Sequence, residues 1–353
     1  MPLHGQGGSL APDCAHHFSA VGSCGTKDAA GPGSGVSVNN SSESMRTPGE
    51  AANRPPDVVI VGAPKCGTTS LYTYLSEHPG IFASPLKEPN FFCLDTPALR
   101  VAQRWADYEG LFRSARVGQL RLEASTAYLL SPVAVPAILE VNPHAKIIVA
   151  IRDPIEMIVS YHAQKLYAFE EDQTDFERAW ELSEYRARGE RVNARCRAPT
   201  YLDYKSVAQL GGHVARMVRL VPSNQLLVVL FENLRSDAES VYGTVLDFLC
   251  LAPDGRKDFG VANARKVHAW PAVSRMIVKP PRLLHNTKRL VRRAFPQMSK
   301  SAGRLVHGLL QRPTPRVAIT PDLRRRLVNE LRPDVERLAQ LLHRDLTGWT
   351  RCD

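Results

Sequence analysis

The stretch from Asp57 to Leu75, DVVIVGAPKCGTTSLYTYL, constrains this chain more than any other. Val58, Val59, Ile60, Val61 and Gly62 are apolar or flexible without a break, the pattern of a strand buried in a parallel sheet and ended by a glycine. Ala63-Pro64-Lys65-Cys66-Gly67-Thr68-Thr69 follows as a short loop with one cation, a glycine and two hydroxyls. From Ser70 the spacing turns helical through Leu71, Tyr74 and Leu75, and His78-Pro79-Gly80 closes the helix. A strand feeding a tight loop and then a helix aims several backbone N–H groups and the positive end of a helix dipole at one point. The guest favoured there is a phosphate or a sulfate.

The loop is not a Walker A, which sets its lysine directly after the second glycine and before Ser or Thr. Here Lys65 precedes Gly67 and the hydroxyl pair follows it. A lysine placed early can reach the bridging oxygen of a bound phosphoanhydride, while Thr68 and Thr69 are expected to cap the helix and bond the 5'-phosphate. No magnesium ligand is obvious. PKCGTTSL after a hydrophobic strand resembles the 5'-phosphosulfate-binding loop of sulfotransferases that use 3'-phosphoadenylyl sulfate (PAPS), above all the heparan sulfate sulfotransferase branch and its bacterial relatives. The resemblance implies that Lys65, Cys66, Gly67, Thr68, Thr69 and Ser70 hold the donor, with Lys65 also catalytic.

A second junction repeats the design. Ala145 to Ile151 reads as a buried strand that runs into Arg152, with Asp153 fit for an N-cap and Pro154 for the first helical position. IRDPIEMIVSYH resembles the family's 3'-phosphate-binding motif, which makes Arg152 and Ser160 the pair that grips the 3'-phosphate. Physically this is a forked guanidinium on a phosphate with a hydroxyl beside it.

Between the two motifs, Pro85 and Pro89 exclude a long helix and leave Lys87-Glu88 in an extended or turning segment. KEPNFF resembles the segment around the family's general base, which implies that role for Glu88. An alcohol must lose its proton as it attacks sulfur, and a positioned carboxylate can take it. Leu120 to Ala124 reads as another strand, and Glu123 to Tyr128 resembles the family's E-K-T/S-P-x-Y segment with Ala124 and Ala127 in place of the lysine and the proline. Lys87 is then the candidate to supply the missing cation. Glu123 is either an orienting group for an acceptor hydroxyl or Lys87, or a strand-end acid in solvent.

Further along, Phe169 to Arg197 is charged and loosely helical, and Tyr201 to Leu220 has the spacing of one amphipathic helix with Tyr201 near its start. Gln225 to Phe231 reads as a fourth strand. Glu232-Asn233-Leu234 resembles the family's Y/F-E-D-L segment, taken as scaffold. Arg265, Lys266 and Arg316 are candidate phosphate contacts, and Trp270 a candidate to stack on adenine. The final helix, from Thr320 to Leu346, carries a stripe of Leu323, Leu327, Leu331, Val335, Leu338 and Leu342.

Charge is uneven over the 353 residues: residues 255–316 hold fifteen Lys or Arg against one acid, Asp258, while the whole chain carries +10. Residues 281–311 form a basic amphipathic run suited to an anionic membrane surface or an acidic acceptor. Residues 1–55 are rich in Gly, Ser, Pro, Ala and Asn and are expected to be a disordered tail ahead of a domain over 56–350. No secretory pattern or membrane span stands out, so a cytoplasmic enzyme is expected. Seven unpaired-looking cysteines fit reduced thiols, and no metal is expected.

The expected fold is α/β, a three-layer sandwich with a central parallel sheet of the sulfotransferase type, related to nucleotide kinases. The resemblance implies transfer of the sulfuryl group from PAPS to a hydroxyl, or an amine, of an acceptor that is a carbohydrate or a lipid, with no nucleic acid partner. The other readings that the residues leave open are an ATP-dependent small-molecule kinase and a non-catalytic glycan- or membrane-binding protein on the same fold.

Overall fold

The structure is a computed structural model that describes residues 54–260 and 319–351, together with the backbone of two short strands, Lys266–His268 and Gln311–Pro313, paired antiparallel. The expectations for the tail up to residue 53, for Arg265, Trp270 and Arg316, and for the basic run 281–311 therefore lie outside the described residues.

The elements alternate in the way a parallel sheet demands. In chain order they are β1 (Val58–Gly62), α1 (Thr68–Ser76), β2 (Ile81–Ala83), α2 (Trp105–Glu109), β3 (Leu120–Ala124), α3 (Ala134–Val141), β4 (Lys146–Ile151) and α4 (Pro154–Tyr167). Then come α5 (Phe176–Glu181), α6 (Ser183–Ala187), α7 (Tyr204–Ala208), α8 (Leu210–Leu220), β5 (Leu226–Leu230), α9 (Phe231–Ser236), α10 (Ala238–Phe248) and α11 (Pro321–Leu342). Five parallel strands lie in the order β2-β3-β1-β4-β5. The edge strand β2 was not foreseen: only three residues long, it sits between a Gly-containing turn and Pro85.

Period-two alternation divides the sheet into two faces. Val58, Ile60, Leu122, Ala124 and Ile148 pack with Leu71 and Leu75 of α1 and with Val245 and Leu246 of α10. Val59, Val61, Ile147, Val149 and Ile151 pack on the other side with Ile138 of α3, Met157 and Ile158 of α4, Met217 of α8 and Leu327 of α11. Central β1 is buried along its whole length, and each such aliphatic side chain contributes roughly 1.5–3 kcal/mol of hydrophobic stabilisation. Three layers and a parallel centre are thus what the continuous apolar runs called for.

The single helix expected over Tyr201 to Leu220 is instead a 3-10 turn, α7 and α8 in succession. Asp203 caps α7 through the Ser206 N–H, and Gln209 breaks the path with ψ of 66°. Its last part, α8, has Gly211 and Gly212 in its first turn, and their N–H groups donate to the Asp334 carboxylate of α11 at 2.7 and 2.9 Å. No helix among the described residues is long and apolar enough to cross a membrane.

Candidate active site

Two strand ends meet here. At the end of β1 the chain turns through Gly62 (φ 144°), Lys65 (φ 64°) and Gly67 (φ 80°) into α1. Gly67, not either threonine, is the N-cap, and it supplies no side-chain hydrogen bond. Thr68 and Thr69 lie inside the first turn, so the expected hydroxyl cap is absent and the first-turn N–H groups of Thr68, Thr69 and Ser70 are those that an anion would take. A Cβ on Gly67 would come within 2.7 Å of Phe231 Cδ2, and the left-handed backbone already favours glycine. Cys66 is fully buried, and its Sγ reaches the Pro64 carbonyl oxygen at 3.4 Å. Burial pushes its thiol far up despite the nearby Arg152 and Lys65 cations, so it stays protonated and packs as a small apolar group.

Arg152 stands at the end of β4, directly before the Asp153 cap, whose carboxylate accepts from the Ile155 and Glu156 N–H groups. It is 8% exposed. Its Nη1 donates to the Lys65 carbonyl at 3.3 Å and its Nη2 to Glu156 Oε2 at 3.2 Å, and its Cζ lies 4.7 Å from the centre of the Phe231 ring. Its Nε is buried and has no hydrogen-bond partner among the described residues. Phe231, the first residue of α9 directly after β5, therefore packs under both strand-to-helix junctions, against Gly67 and against Arg152. Glu232 beside it accepts the Asp153 N–H at 3.1 Å and keeps Oε2 buried without a partner. The sequence reading took Phe231 and Glu232 as plain scaffold; their Y/F-E-D-L-like context was the signal that they belong to this junction. Ser160 is 4% exposed on α4, two turns beyond Arg152.

The candidate base sits across β3. Glu88 adopts a left-handed backbone (φ 62°), and its own N–H donates to the Ala124 carbonyl at 2.8 Å. Its Oε2 accepts the Thr126 N–H at 2.8 Å and its Oε1 the Lys87 ammonium at 2.6 Å, while its side chain keeps about a third of its surface in solvent. A carboxylate so fixed, with one edge open, can take a proton from a hydroxyl that approaches it. Lys87 thus neutralises Glu88.

Glu123 is neither in solvent nor near enough to solvent to meet an acceptor: it is 0% exposed. Its place in β3 opposite Val59 turns it into the covered face, where the Tyr108 hydroxyl donates to Oε2 and the Ser125 hydroxyl to Oε1 at 2.7 Å. Burial raises its carboxyl to about 7 even against those donors. Tyr201 is also buried and donates to the Ala127 carbonyl at 3.3 Å, a packing role.

Residues 55–257 match the sulfotransferase domain family. The chain belongs to the sulfotransferase domain family. This sulfotransferase-family chain is 29% identical over 205 residues to heparan sulfate glucosamine 3-O-sulfotransferase 6 of Mus musculus, a match covering 58% of this chain and 54% of the relative. It is 28% identical over 207 residues to heparan sulfate glucosamine 3-O-sulfotransferase 3B1 of Homo sapiens, covering 58% and 48%. The chain thus spans about half the length of the curated relatives it matches. Among solved structures it is similar to a sulfotransferase from Alicyclobacillus acidocaldarius, with a TM-score of 0.61, 25% identity, and coverage of 84% of this chain and 99% of that one. The family read from PKCGTTSL and IRDPIEMIVSYH is the family found, and the sulfotransferase fold expected from it is the fold observed.

Proposed function

We propose that the protein transfers the sulfuryl group of PAPS to a hydroxyl of a carbohydrate. The observation that carries this reading is the hydrogen bond from Arg152 Nη1 to the Lys65 carbonyl, which puts the two strand-to-helix junctions side by side, as a shared anion site requires. The residues fit a nucleotide phosphorylated at both ends: an uncapped helix start with a lysine on one side, and on the other a guanidinium whose Nε is buried and unpartnered. The names of the 3-O-sulfotransferase relatives favour a sugar acceptor.

The donor supplies the sulfuryl group, and this chain's residues do the rest. Glu88 takes the proton of the acceptor hydroxyl as that oxygen bonds to sulfur. Lys65 and the first-turn N–H groups of α1 neutralise the bridging oxygen, which keeps the electron pair of the broken S–O bond. Arg152 and Ser160 hold the 3'-phosphate, so that the reacting groups stay in line. The proton leaves Glu88 through its exposed edge.

Incubation with sulfur-labelled PAPS and a panel of heparan sulfate, chito-oligosaccharides and glycolipids tests this. Label on a sugar hydroxyl is the expected result; no transfer to any member of the panel, or transfer that needs Mg-ATP in place of PAPS, would overturn it.

A further inference from the structure

Glu123 is a buried carboxyl that the transfer itself does not use. It sits on the inner face of β3 among hydroxyls: Tyr108 from α2, Ser125 at the strand's end and Tyr128 in the following turn, each bonded to it. The other titratable groups that act on it electrostatically are Tyr72 from α1, across the sheet, and Cys93 and Glu88 from the segment after β2, with Lys87 paired to Glu88. Three hydroxyl donors, and no cation in contact among the described residues, surround this carboxyl.

The Ser125 hydroxyl is the link outward. Because its hydrogen goes to Glu123 Oε1, its lone pair is left facing the Asn90 N–H, which donates to it at 3.1 Å. Asn90 in turn has φ of 50°, and its Nδ2 donates to the Glu88 carbonyl at 3.0 Å. The turn that carries Glu88 therefore contains two non-glycine residues in the left-handed region, a conformation that persists only where surrounding bonds enforce it. Thr126, next to Ser125, holds the Glu88 carboxylate itself.

We propose that Glu123 is a positioning residue for the sulfuryl transfer: as a carboxylate it fixes the Ser125 hydroxyl, and through Asn90 it locks the turn that aims Glu88 at the acceptor. This rests on the reading of Glu88 as the base. On protonation Glu123 must itself donate, one hydroxyl must turn round to accept, and the Ser125 rotor is freed. Since its carboxyl is raised to about 7, turnover should fall as pH drops through neutrality, well above the range of an ordinary carboxylate base.

The test compares wild type, E123Q, S125A and the double variant by kcat and KM across pH 5.5 to 8.5, using PAPS and the panel glycan with the fastest wild-type rate. Calorimetric binding of 3'-phosphoadenosine 5'-phosphate (PAP) is measured alongside. E123Q and S125A are each expected to lose about 10- to 100-fold in kcat, the scale of a small misplacement of a catalytic group. They should also lose the limb near pH 7, keep PAP affinity within about twofold, and be no worse together than apart because they act through one chain of bonds. Should E123Q fail to fold, S125A decides alone. Variants with wild-type kcat and an intact limb, or a kcat loss matched by lost PAP binding, overturn the proposal while the function stands. A wild type that transfers to no glycan in the panel overturns both.

Discussion

Glu88 is held on one side by the Thr126 N–H and on the other by Lys87, with an open edge between. Replacing it by Gln keeps an acceptor for Thr126 but removes the site for the proton. Turnover should fall by about 10²- to 10⁴-fold with PAP affinity unchanged in a calorimetric titration. Lys65→Ala should likewise lower kcat, by about 10²- to 10³-fold, since it removes charge that counts most when the bridging oxygen takes up its electron pair. Both proposed roles come from local motifs, PKCGTTSL for Lys65 and KEPNFF for Glu88, which a sequence displays directly. Glu123 could not be read that way. Its role depends on strand parity and on Tyr108 arriving from fifteen residues upstream, and only the pairing of β3 with β1 shows that its side is covered.

At the scale of elements, two joints are made at glycines. A methyl group on Gly67 would strike Phe231 at 2.7 Å and strain a φ of 80°, so Gly67→Ala should pull the β5 end away from the phosphate loop and weaken PAP binding together with thermal stability. The α8 start is capped across the chain by Asp334, which follows Pro333 in the middle of α11. Asp334→Ala should cost about 1–2 kcal/mol, read as a lower midpoint in urea, with kcat unchanged because this joint lies on the α8 and α11 packing and touches none of the phosphate residues. The continuous apolar runs foretold β1, β4 and β5, the stretch Leu120 to Ala124 reads as the strand β3, and Asp153-Pro154 foretold the start of α4. What was not legible was the division of residues 201–220 at Gln209 and the three-residue β2. Both are decided by a partner: the carboxylate of Asp334 for the one, pairing with β3 for the other.

For the whole molecule, pH acts on stability through groups buried in the core. Glu123 has a folded-state pKa of about 7 against 4.5 when unfolded, so the folded chain holds its proton longer and stability falls as pH rises from about 4.5 to about 7. The size is about 3 kcal/mol, taken from 1.36 kcal/mol per unit. His213 acts in the opposite sense: burial lowers it to about 4 from 6.5, so its contribution is present above 6.5 and lost as pH falls toward 4. Comparing urea midpoints of wild type and E123Q from pH 4.5 to 7.5 cancels the His213 part. The expected outcome is that E123Q gains on wild type as pH rises.

The convergence of Lys65 and Arg152 on one nucleotide is the claim on which the rest depends, and Arg152 offers the cleanest handle because its fork is buried and its Nε unpartnered. The direct measurement is calorimetric affinity for PAP and for AMP, which differs from it only in lacking the 3'-phosphate, in wild type and in Arg152→Ala. A charged hydrogen bond of roughly 1.5–3 kcal/mol predicts that wild type prefers PAP by about 10- to 150-fold and that the preference collapses in the variant. Equal affinity of wild type for PAP and AMP, or a preference that survives in Arg152→Ala, would contradict the account.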